Sequence, residues 1–113
     1  MFKLVFFVPE QHAEVIKSAI FATGAGQLGE YDSCAWQTLG TGQFRPRQGS
    51  TPFIGRHGHI ERVPELRIEI LCRDEVVGDA IDALLTTHPY EEPAYEIYRV
   101  WQRDGISRAG QSE

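Results

Sequence analysis

The stretch "DEVVGDAIDALLTTHPYEEPAYEIYRVW" (Asp74 to Trp101) runs from a helix through a corner into a strand. Val76, Val77, Ala80, Ile81, Leu84 and Leu85 recur at helical spacing, and acidic residues occupy the first turn, where the helix dipole favours them. Pro89 excludes helical geometry at His88, so the helix ends there. Pro93 acts likewise on Glu92 and launches "AYEIYRVW", which alternates as a strand. Between the prolines, Tyr90, Glu91 and Glu92 are pinned in a tight corner.

The front of the chain has the same order. "FKLVFFVP" (Phe2 to Pro9) is apolar on both alternating faces, with Phe2, Leu4, Phe6 and Val8 on one and Val5 and Phe7 on the other, the mark of a central strand. Pro9 can open a helix, and "EQHAEVIKSAIFAT" follows with Val15, Ile16, Ala19 and Ile20 as its apolar stripe, stopped by Gly24. "EYDSCAWQTLG" predicts a second strand ending at Gly40, and "ERVPELRIEILC" a third, with Leu66, Ile68, Ile70 and Cys72 facing one way and Arg67, Glu69 and Leu71 the other. Between them lies a Gly- and Arg-rich loop, "GTGQFRPRQGSTPFIGRHGHI", longer than an ordinary connection. The predicted fold is α+β: a ferredoxin-like βαββαβ sandwich, strands one and three central, both helices on one face. Residues 1–101 form this single domain and 102–113, without apolar periodicity, a disordered tail. The second face of strand one, with Val5 and Phe7, needs a cover, and a second copy of the chain is the economical one.

The 113 residues carry a net charge of -5, which argues against a protein that neutralises nucleic-acid phosphates. No apolar run is long enough to span a bilayer, and the apolar opening is too short for a secretory signal, so a cytoplasmic protein is expected. Cys34 and Cys72 form no CxxC and both fall in strand-like segments, which predicts reduced, packed thiols. "GAGQLG" (Gly24 to Gly29) follows a helix, whereas a dinucleotide fingerprint follows a strand, so it predicts only a turn.

Taken with "GAGQLGEYDSCAW" (Gly24 to Trp36) and "GTGQFRPRQGSTPFIGRHGHIERVPELRIEI" (Gly40 to Ile70), the corner "HPYEEPAYEIYRV" closely resembles the domain inserted into YqfO-type members of the Nif-three-like family. The resemblance spans nearly all of residues 1 to about 101. It implies a fold like that of CutA and PII proteins, which oligomerise through their sheets. Full-length members, often labelled GTP cyclohydrolase type 2-like or metal-binding, carry paired-metal ligands in flanking halves. No position here matches those ligands, so the enzymatic label does not transfer.

Two candidate sites emerge from the residues. From Ser33 to Ile60 there is no Asp or Glu, while Arg45, Arg47 and Arg56 offer fork-shaped donors among glycines that can turn backbone N–H groups inward, a setting for a phosphate or carboxylate. The resemblance to PII-like proteins, which bind nucleotides between subunits near long loops, points the same way. "GTGQF" is no P-loop, however, because no GK[ST] follows, and the same Arg and Gly residues also suit a loop that is merely kept soluble or docks on a neighbouring subunit. The second candidate is a divalent-metal site drawing on His57, His59, His88, Glu91 and Glu92. Against it, His88 complements a helix C-terminus and carboxylates in a turn are readily solvated.

The expected function is thus non-enzymatic binding of a small anion, a nucleotide or a divalent metal by a regulatory-type homo-oligomer associated through its open sheet face, with no nucleic-acid or membrane partner. The alternatives are a metal-dependent hydrolase of a nucleotide-like substrate and a structural protein-docking domain.

Overall fold

Strand β1 (Phe2–Pro9) is apolar on both faces because it is paired on both sides and covered above and below. The computed structural model describes residues 1–103. After β1 come a 3-10 turn (Glu10–His12) and α1 (Ala13–Phe21), then β2 (Trp36–Phe44), β3 (Glu61–Cys72), α2 (Val77–Thr87) and β4 (Tyr95–Arg99). The sheet order is β2-β3-β1-β4, with every neighbouring pair antiparallel. This is the expected ferredoxin-like arrangement, with β1 and β3 central.

One face carries the core. Leu4, Phe6 and Val8 of β1 and Leu66, Ile68, Ile70 and Cys72 of β3 pack against Ile16 and Ile20 of α1 and Ala80 and Leu84 of α2. Each large side chain buried there contributes about 1.5–3 kcal/mol. Val15, expected in the α1 stripe, is 66% exposed; Ala13 takes the inward position instead, because the helix starts only after the 3-10 turn. Helix α2 ends as expected: His88 is extended (ψ 134°) ahead of Pro89.

The opposite face solves the Val5 problem within the chain. Val5 is fully buried although it lies outside the helix-side core. Its register partners are Glu69 and Glu96, and Glu69 is bridged by Lys3 Nζ at 3.2 Å and Arg67 Nε at 3.1 Å. Arg67 also lies over the Phe7 ring, 5.6 Å from its centroid. An ion-pair ladder with aliphatic stems therefore roofs Val5. Burial of Val5 does not require a second copy.

The second strand departs from the expected boundaries. Only Trp36 to Gly40 of the predicted segment is strand, β2 continues to Phe44, and half-buried Cys34 precedes it. The glycines Gly40 and Gly42, assigned to the end of the strand and to the loop, are paired with Glu65 and Val63. Beyond Pro9, the first residues of β3 pair with β2 alone, so the two strands continue as a two-stranded ribbon. Pro64 is tolerated in β3 because it sits where that strand is itself an edge. Gly24, Gly26 and Gly29 all have positive φ, and the "GAGQLG" segment is a turn docked by the Gly26 N–H on the Leu71 carbonyl (2.8 Å). The expected tail falls almost wholly at 104–113, outside the described residues.

Candidate functional site

The loop joining β2 to β3 folds back onto the corner. Ser50 closes a turn on the Arg47 carbonyl through its N–H (2.9 Å) and hydroxyl (2.6 Å), and the Gly58 N–H reaches the Pro46 carbonyl (2.8 Å). The Thr51 N–H then donates to Glu91 Oε1 at 2.9 Å, tying loop to corner. Phe53 completes the junction, its ring 6.4 Å from Tyr90 and edge-on to His12 at 5.5 Å.

Between loop, corner and sheet lies a cavity of about 360 Å³. The ribbon and loop supply Phe44, Arg45, Arg47 and Phe53; the corner supplies Tyr90, Glu91 and Glu92; the sheet supplies Phe7 and Glu65. Arg45 and Arg47 are exposed at the loop side and make no ion pair among the described residues.

Two buried polar side chains hold the corner. His88, 7% exposed, donates from Nε2–H to the Phe7 carbonyl (2.7 Å) and accepts the Tyr90 N–H at Nδ1 (3.1 Å). Both ring nitrogens are occupied, which fixes the neutral tautomer. Burial pushes its pKa below the ordinary imidazole value, outweighing the bond to Phe7 and the nearby Glu65 charge, with His12 adding to the depression. Glu65, 8% exposed, accepts the Tyr90 hydroxyl at Oε2 (2.6 Å). Burial and that carboxylate raise the Tyr90 pKa, so the phenol stays neutral and donates.

Of the residues singled out from sequence, Arg45, Arg47, Glu91 and Glu92 meet at this cavity, while Arg56, His57 and His59 do not line it. His57 Nε2–H donates to the Ser50 carbonyl (2.8 Å) and stabilises the loop. His88 lies behind Tyr90, their rings 4.9 Å apart, with its nitrogens turned to the backbone. No three His, Cys, Asp or Glu side chains converge as a metal set among the described residues. Sequence reasoning missed Glu65 and the rings of Phe7, Phe44 and Phe53. One signal was present: a glycine inside a strand, Gly42, leaves room for a large side chain on the neighbouring strand. A Cβ on Gly42 would stand 1.9 Å from Glu65 Oε1.

No family model matches the chain. It is 42% identical over 98 residues to a Halalkalibacterium halodurans protein named GTP cyclohydrolase 1 type 2 homolog, a match covering 87% of this chain and 26% of that one. The Bacillus subtilis protein of the same name is 41% identical over 111 residues, 96% of this chain and 30% of its own. Among solved structures, a Bacillus cereus protein related to NIF3 matches with a TM-score of 0.77 and 40% identity over 89% of this chain and 26% of that one. CutA from Archaeoglobus fulgidus, a periplasmic divalent cation tolerance protein, matches with a TM-score of 0.65 and 17% identity over 90% of this chain and 86% of its own.

The fold is therefore that of a CutA-like, ferredoxin-like domain. In sequence it is similar to the matching part of NIF3-related proteins. The chain spans between a quarter and a third of the length of these curated relatives.

Proposed function

We propose that this domain is a non-enzymatic, regulatory-type binding module that holds a small anionic ligand in the cavity between the ribbon loop and the corner. The observation that carries this reading is the placement of Arg45 and Arg47, two guanidiniums without an intramolecular ion pair among the described residues, on the wall of a cavity large enough for a small metabolite. Tyr90, Phe44 and Phe53 give the ligand an apolar body to rest on, and the Thr51–Glu91 bond couples the loop to the corner. A ligand bridging the two would stabilise both.

A thermal-shift series with inorganic phosphate, nucleoside phosphates, carboxylates and divalent cations tests this. An anion should raise the melting temperature by mass action. The shift should be lost in Arg45→Ala and Arg47→Ala but kept in Arg56→Ala, whose side chain lies outside the lining. A shift that ignores Arg45 and Arg47 would remove the site. A divalent cation that acts alone and depends on Glu91 and Glu92 would move the assignment to a metal.

A further inference from the structure

Glu65 is the one carboxylate among the described residues that is buried. A carboxylate has about four acceptor directions, and among the described residues the only side-chain or backbone donor on this one is the Tyr90 hydroxyl. The ion pairs of the described residues engage Glu14, Glu69, Asp74 and Glu75, and none reaches Glu65. The nearest cation along its own strand face, Arg67, is committed to Glu69 and to the Phe7 ring. No enclosed side-chain oxygen or nitrogen among the described residues lacks a partner, so the unbonded Glu65 Oε1 reaches open space rather than being sealed in, and Gly42 keeps free the space the carboxylate occupies. Four aromatic rings line the same cavity: Phe7, Phe44, Phe53 and Tyr90. Phe7 already carries Arg67, but no guanidinium or ammonium lies over Phe44, Phe53 or Tyr90 among the described residues; their π faces favour a cation, and the lining carries three carboxylates against two guanidiniums.

We infer that the inner end of the cavity, Glu65 within its ring of aromatic side chains, receives a cationic, N–H-bearing head, so that the ligand is a small zwitterion whose anionic group meets Arg45 and Arg47. This deepens the proposed anion-binding reading and rests on it for the outer half of the ligand. A protonated amine or amidine supplies N–H donors to the unused carboxylate directions and positive charge to the rings. A quaternary ammonium supplies only the charge.

Four probes separate the contributions by calorimetry: glycerol 3-phosphate (anion, neutral head), phosphoethanolamine (anion, N–H cation), phosphocholine (anion, quaternary cation) and agmatine (N–H cation, no anion). Phosphoethanolamine should bind at least about tenfold tighter than glycerol 3-phosphate, the worth of one hydrogen bond to a charged group, with phosphocholine between them. Glu65→Gln, whose amide oxygen can still accept from Tyr90, should erase that preference, with phosphoethanolamine falling to the affinity of glycerol 3-phosphate, which itself binds at least as tightly once the carboxylate charge is gone. Tyr90→Phe keeps ring and carboxylate and should retain the preference. Equal binding of the phosphorylated probes, or a preference that survives Glu65→Gln, would overturn the inference while leaving the anion site intact. Agmatine binding that depends on Glu65, with no phosphate binding at all, would uphold the cation pocket and remove the anion reading. No binding by any probe would overturn both.

Discussion

His88 shows how one buried side chain sets the geometry of the corner. Its two hydrogen bonds join β1 to the start of the corner and require the neutral ring, because protonation at Nδ1 would turn an acceptor into a donor facing the Tyr90 N–H. The folded pKa is depressed below the unfolded value of about 6.5. The stability linked to this group is therefore complete above that value and is lost as pH falls below it, by up to about 1.4 kcal/mol per pH unit until the folded pKa is reached. Denaturant titrations at pH 7.5 and 5.5 should show this fall in the wild type and a much smaller one in His88→Gln. That variant should also be about 1–3 kcal/mol less stable at pH 7.5, since it leaves buried backbone groups without their partner. Equal pH dependence in both proteins would exclude His88 as its source. The helix stop at His88 was legible in the sequence from Pro89 alone. Its imidazole was weighed there as a metal ligand, because a sequence does not say which way a ring turns.

The β2–β3 ribbon is the element that builds the site. It extends beyond β1, carries the loop outward and returns it to the corner through the Thr51–Glu91 bond. Glycines made the end of β2 look like loop, yet Gly42 is in the strand because Glu65 fills the space above it. Gly42→Ala should displace the Glu65 carboxylate, break its bond with Tyr90 and cost about 1–3 kcal/mol. The same change in a Glu65→Ala background should cost much less, since the added methyl then meets an empty space. Thermal or chemical denaturation of the four proteins reads this coupling directly. A cost unchanged in the Glu65→Ala background would assign it to the strand backbone instead.

At the scale of the whole molecule, part of the exposed apolar surface lies along the rims of the sheet. Trp36, Leu39, Tyr95, Ile97 and Tyr98 are exposed on the edge strands β2 and β4, and Trp36 and Tyr98 flank the ion-pair ladder of the open face. Edges of this kind invite pairing with another chain. We expect the domain to be a homo-oligomer at micromolar concentration by light scattering, with Trp36→Lys shifting the mass toward the monomer. A monomeric wild type would remove this association and confine the function to the cavity of a single chain.

The alternation of β1 and β3, the apolar stripe of α2 and the two prolines of the corner are local patterns. Each depends on neighbours a few positions away, so the βαββαβ order, the central strands and the single core were all legible in the sequence. The site is not local. Its cavity joins residues from β1, the ribbon, the loop and the corner, and Glu65 and Tyr90 meet across 25 positions of chain. Which of Arg45, Arg47, Arg56, His57 and His59 face the cavity depended on how the loop closed, and that closure is set by tertiary contacts, Thr51 with Glu91 and Phe53 with Tyr90. Val5 makes the same point on the opposite face, because its cover comes from side chains brought alongside by strand register rather than by spacing along the chain.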